Sequence, residues 1–111
     1  MTETDPAGKA QHSPGAKLDG GKPKVGLMLL GFSKALESVA EVTTFGAKKY
    51  TPDGWKKVDG GIERYTDALG RHLLKEKSEG YLDSDSQLPH AAQVAWNALA
   101  RLELILNAED K

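Results

Sequence analysis

Apolar residues recur at helical spacing in three separate stretches of the chain. Ala35, Leu36, Val39, Val42 and Phe45 predict a first helix over residues 34–47, with Ser33 suited to cap its N-terminus. Ile62, Tyr65, Leu69, His72 and Leu73 give a second helix over 62–77 its apolar-leaning face, and Gly80 stops it. Pro89, tolerated in a first helical turn, opens a third helix reaching residue 107. Between them, Pro52, Asp53-Gly54 and Gly60-Gly61 punctuate a loop over 48–61, and residues 81–88 form an acidic turn. No alternating run is long enough to build a sheet. The expected fold is all-α, a small bundle of about three main helices.

The third helix departs from the ordinary amphipathic pattern. Its Ala, Val, Trp and Leu residues cover most of the circumference, which implies burial on several sides. Three helices with such a member leave apolar surface uncovered in one chain, so oligomerisation is expected to complete the bundle. Through this surface runs a polar stripe, His90, Gln93, Asn97 and Arg101, spanning roughly 80° at 100° per residue. Flexible Lys and Glu are the usual solvent-face residues. Short directional groups such as His, Gln and Asn suit reading a ligand or closing an internal network.

Composition narrows the function classes. Residues 1–16, rich in Gly, Pro, Ala and charge, read as a flexible tail, residues 17–107 as the folded domain and 108–111 as a C-terminal tail. The net charge of −1 offers no basic field for nucleic acid. Cysteine is absent, which removes disulfides and thiolate-bound zinc. The longest strongly apolar run, residues 25–30, is too short to span a bilayer, and no signal peptide is evident. A cytoplasmic protein with no membrane partner is the expectation.

Several residues can carry chemistry. Glu37 and Glu41 lie four apart on one helix face and together can hold a divalent cation, with Asp67 or Asp83 as a third ligand. A solvated face is the plain alternative. Lys22, Lys48, Lys49 and Arg71 are candidate phosphate partners; Arg71 sits beside His72 inside a helix that must bury a face. Residues 17–24 hold three lysines and an aspartate around Gly20-Gly21, either as a linker or as a basic flap near an anionic ligand. Tyr50 and Trp55 bracket a Gly/Pro loop, where they either stack on a base or cap the core. The chain has no phosphate-cradling Gly-x-x-x-x-Gly-Lys-Ser/Thr loop and no nucleophilic serine motif.

Lys17-x-Asp19-x-Gly21-Lys22-Pro23, the run Ala35 to Tyr50 with Phe45-Gly-Ala-Lys-Lys-Tyr50, and Trp55 resemble a known family. So do Arg64-Tyr65, Ala68, Arg71-His72, Asp83-x-Asp85-Ser86-x-Leu88-Pro-His90 and Asn97. The family is the phage and bacterial dATP/dGTP diphosphohydrolases of the MazG-like all-α NTP pyrophosphohydrolase group. The resemblance implies an oligomer, a homodimer or tetramer, that cleaves a purine deoxynucleoside triphosphate to the monophosphate and pyrophosphate with Mg²⁺ or Mn²⁺. It implies the host cytoplasm if the chain is phage-encoded.

On that resemblance Glu37 and Glu41 match the acidic first helix as catalytic and metal positions, joined by Asp67. Lys17, Asp19, Lys22, Lys48, Tyr50, Trp55, Arg71, His72, His90 and Asn97 are the expected nucleotide contacts. The pattern departs from the group at Ser38, where many relatives carry another acid. Gln87 replaces a common glycine, Gly54 stands where asparagine is usual, and Glu63-x-x-x-Asp67 replaces a Glu-x-x-Asp. Fewer acids fit a second reading, a non-catalytic protein that sequesters a nucleotide or a nucleotide-derived signal.

Overall fold

The computed structural model describes residues 2–109. It divides into two compact units, one up to Gly31 and one from Phe32 onward. In the first, the Asp5 carboxylate accepts hydrogen bonds from the N–H of Lys17 (2.8 Å) and of Ala7 (2.6 Å). These donors, Lys17 foremost, hold its pKa below the usual carboxylate value. The Gly20 N–H donates to the Thr4 carbonyl at 2.7 Å, an approach that leaves no room for a Cβ at Gly20. Helix α1 (Val25–Gly31) closes this unit. The sequence pattern did not single it out as a helix, because an unbroken apolar run carries no period. All of α1 is exposed, Leu27 and Leu30 most of all.

The second unit holds α2 (Ser33–Lys49), α3 (Gly61–Glu79) and α4 (His90–Glu109), with a short 3-10 turn at Gly54–Lys57 inside the expected loop. The protein is all-α: no strand occurs among the described residues, only an isolated bridge between Leu82 and Pro89. Helices α2 and α3 extend a residue or two past both expected bounds, while α4 starts one residue after Pro89 and runs two residues further than expected. Ser33 falls inside α2, with Phe32 at the cap position and no side-chain cap, and Pro89 stands just before α4. Gly80, at φ 99°, ends α3 as its sequence position suggested. The C-terminal tail expected over 108–111 lies partly outside the described residues, and α4 itself runs to Glu109.

Helix α4 packs mainly on α3 and also on α2. Gly61 makes the α3 contact close, since a Cβ there would come within 2.8 Å of Leu104 Cδ1. Beside it, Trp55, Tyr65 and Trp96 meet edge to face with centroids 5.5, 5.7 and 6.3 Å apart, the arrangement aromatic quadrupoles favour. Tyr65 also donates its hydroxyl to the Trp55 carbonyl at 3.0 Å. Trp55 thus caps the core. Around it the apolar core is thin: Val39, Val42, Ala92 and Ala100 are its buried hydrophobic members among the described residues.

Polarity on α4 is inverted relative to a common surface helix. His90, Gln93 and Asn97 face inward and are buried, while Leu99, Leu102 and Leu106 are about half exposed. Those leucines, spaced i, i+3, i+7, form an apolar seam on the opposite side of the helix. Arg101, the last stripe member, is exposed and donates through Nε to Thr66 Oγ1 at 2.7 Å, tying α4 to α3.

Candidate metal and nucleotide site

The junction of α3 and α4 is a turn organised by one buried carboxylate. Asp83 Oδ2 accepts the Gln93 amide at 2.9 Å, the Ser86 hydroxyl at 2.9 Å and the Ser86 N–H at 3.3 Å. Oδ1 receives only the Asp85 N–H, at 3.4 Å. Burial alone would raise this acid's pKa, but Gln93, Ser86 and the backbone N–H donors outweigh it and hold it at about 2. The Asp83 N–H donates to Leu88 and the Gln87 N–H to Asp83, both at 2.8 Å, closing the turn. Gln87 adopts φ 62° to do so, a backbone conformation that glycine takes more readily.

Next to this turn lies a chain of titratable groups. His90 is fully buried, with Nδ1 2.9 Å from His72 Nδ1 and Nε2 3.0 Å from Glu79 Oε1. Glu79 also accepts the Ser84 N–H at 2.8 Å. That donor first, and then His90, hold the Glu79 carboxyl below its ordinary value. Burial pushes the His72 imidazole below its usual pKa, assisted by His90, Lys75 and Arg71 and opposed by Asp83. Glu79, Asp83 and His90 each present a ligand atom within 4.8 Å of the others. This trio can hold a metal ion, and among the described residues it is the one such group of three.

The expected site residues are spread more widely. Glu37 and Glu41 are exposed on α2, on the side away from buried Val39 and Val42, and Asp67 is exposed on α3. The single chain does not gather these three acids around one point. Lys48 and Tyr50 are exposed at the end of α2. Neighbouring Lys49 reaches Asp85 at 2.9 Å, which links the α2 end to the acidic turn, and its Nζ lies 5.5 Å from the Tyr50 ring centre. His72 and His90 do meet, and Arg71 is exposed beside them. Asn97 is buried and donates its side-chain N–H to the Gln93 carbonyl at 2.8 Å, so the stripe closes an internal network. Lys17, Asp19 and Lys22 belong to the first unit, where Pro6 and residues 19–26 line a concave surface of about 480 Å³. Lys22 pairs there with Glu3 at 3.2 Å.

A profile of the family described as dATP/dGTP diphosphohydrolase, N-terminal, matches residues 12–111. The chain belongs to this diphosphohydrolase N-terminal family. It is also 36% identical over 81 residues to a protein of Salmonella phage PMBT28 named dATP/dGTP diphosphohydrolase. That match takes in 73% of this chain but 26% of the relative, so the chain spans about a quarter of that protein's length. No solved structure matches the chain. Within this family member, Glu79 is the residue of the buried cluster that sequence reasoning missed. It lies beyond the expected end of the second helix, and its partner His90 is 11 positions away. The legible signal was the Asp83-x-x-Ser86 spacing, which suits a side-chain-stabilised turn.

Proposed function

We propose that this chain is the nucleotide-handling domain of a metal-dependent pyrophosphohydrolase, converting dATP or dGTP to the monophosphate and pyrophosphate. The match to the diphosphohydrolase family along residues 12–111 carries this reading, supported by the name of the phage relative. Residues 17–107 form the working domain in it, with 1–16 and 108–111 outside. Glu37 and Glu41 are exposed carboxylates one helical turn apart, in no ion pair among the described residues. Such a pair fits Mg²⁺ or Mn²⁺, since Mg²⁺ takes one or two carboxylates and completes its shell with waters and substrate phosphates. Asp67 is the third acid assigned to the ion. When bound, the ion supplies neutralisation of phosphate charge and a more acidic bound water.

The chain's own residues do the rest. Glu41 or Glu37 accepts the proton of the attacking water. The water oxygen bonds to the α-phosphorus, and the bond from that phosphorus to the pyrophosphate oxygen breaks. Lys48 and Arg71 orient the triphosphate, and Lys17, Asp19 and Lys22 are nucleotide contacts proposed from the family resemblance alone. Tyr50 and Trp55 border the base, and His72, His90 and Asn97 fix the α3–α4 wall of the site. A MazG-like assembly, homodimer or tetramer, would cover the leucine seam of α4 and complete the pocket. The net charge of −1 leaves nucleic acid outside the expected partners, and no described helix is long and apolar enough to cross a membrane. The host cytoplasm, where deoxynucleotides are found, is the expected place of action.

Purified chain incubated with dATP or dGTP and either metal is expected to release monophosphate. Glu37→Gln should cut that rate at least about 100-fold while nucleotide binding persists. Absence of turnover with either metal overturns the enzymatic reading. Sequestration without cleavage is the second reading, favoured by the lack of a third acid gathered with Glu37 and Glu41 in the single chain. It predicts nucleotide binding that is unchanged by a chelator.

A further inference from the structure

Of the Glu79–Asp83–His90 cluster only His90 enters the reaction just described, as part of the α3–α4 wall, and the cluster's construction is unusual for a surface turn. Asp83 is 6% exposed and His90 0% exposed, so two of three ligand-bearing side chains lie in the interior. Buried charges are normally paired or bound to a metal. Yet Asp83 has no cationic partner within ion-pair distance among the described residues. Three neutral contacts satisfy its Oδ2, while Oδ1 is left with one contact of 3.4 Å, beyond good hydrogen-bond length. Oδ1 is thus the more lightly held oxygen of a buried carboxylate.

We infer that Glu79, Asp83 and His90 form a binding site for a divalent transition metal, separate from the carboxylates of α2. The spacing fits. Adjacent ligands about 2.1 Å from an octahedral ion lie about 3 Å apart; His90 Nε2 lies 3.0 Å from Glu79 Oε1, and the three ligand atoms lie within 4.8 Å of one another. The surrounding shell fits as well. A ligating histidine places its other ring N–H against an acceptor, and ligating carboxylates are themselves hydrogen-bonded. Coordination through Nε2 puts the His90 proton on Nδ1, aimed at His72 Nδ1 2.9 Å away. Gln93 and Ser86 steady Asp83 in the same manner. One imidazole with two carboxylates suits Mn²⁺, Fe²⁺, Co²⁺ or Zn²⁺ better than Mg²⁺, which prefers an all-oxygen shell.

The site is tested without nucleotide, so its failure is distinct from a failure of the hydrolase reading. The full chain is titrated with Mn²⁺ and followed by electron paramagnetic resonance, with pulsed detection of ¹⁴N coupling. The site predicts bound Mn²⁺ with a histidine nitrogen coupling. Glu79→Gln is expected to weaken that binding at least about tenfold, and the double variant Glu37→Gln, Glu41→Gln to leave the nitrogen-coupled ion in place. Glu79 is the least enclosed ligand, so its variant tests the site even if His90→Gln fails to fold. Bound Mn²⁺ with no nitrogen coupling, or affinity unchanged by both Glu79→Gln and Asp83→Asn, would overturn the inference.

Discussion

Asp83 is the residue on which the α3–α4 junction turns. Its folded pKa of about 2 lies below the ordinary 3.8, so the unfolded chain binds more protons between those values. Its stabilisation is therefore present above about pH 4 and is lost as pH falls through 2. The shift corresponds to roughly 2 kcal/mol, and the low exposure of the side chain calls for little discount for solvent. Acid unfolding followed by circular dichroism should show wild type losing about that much more stability between pH 5 and 2 than Asp83→Asn. At pH 7 the same variant should cost about 1–3 kcal/mol, because it leaves Gln93 and Ser86 donors facing an amide. Gln87, four residues on, holds a left-handed backbone at φ 62°. Gln87→Gly should be neutral or stabilising by up to about 1 kcal/mol, and Gln87→Val destabilising by about 1–2 kcal/mol. Thermal melts of the two variants decide; equal melting temperatures would refute the strain.

At the scale of elements, the three long helices were legible because α2 and α3 present apolar residues at helical spacing, Gly80 ends α3, and Pro89 precedes the apolar-rich α4. Helix α1 was not, since Val25 and its apolar neighbours form a run without a period. The direction in which α4 faces was also hidden. Leucines define a seam as plausible for the core as the polar stripe, and only the partners of His90 and Gln93 turn that stripe inward. Those partners, Asp83, Glu79 and His72, lie 10, 11 and 18 positions away, beyond the reach of helical periodicity. The same distance concealed Glu79. Within this architecture Trp96 bridges α4 to Trp55 and Tyr65, so Trp96→Ala should destabilise by about 3 kcal/mol in denaturant melts. A loss under 1 kcal/mol would show the aromatic cluster to be peripheral.

For the whole molecule, the imbalance between a thin core and abundant exposed leucine is the dominant fact. Among the described residues, Val39, Val42, Ala92 and Ala100 are the buried hydrophobic residues, while Leu73, Leu74, Leu99, Leu102 and Leu106 stand open. In the proposed assembly, a chain of 12.0 kDa with so little burial would gain stability from a second copy. Light scattering should therefore return a multiple of that mass, and Leu102→Glu should shift the population towards monomer. A stable wild-type monomer would remove the pocket assembly proposed above. The proposed reaction is cleavage between the α- and β-phosphates of a purine deoxynucleoside triphosphate. Phosphorus NMR of dGTP or dATP mixed with the chain and Mn²⁺ tests it most directly. Monophosphate and pyrophosphate appearing in equal amounts is the predicted result. An unchanged triphosphate spectrum, or release of orthophosphate, would contradict it.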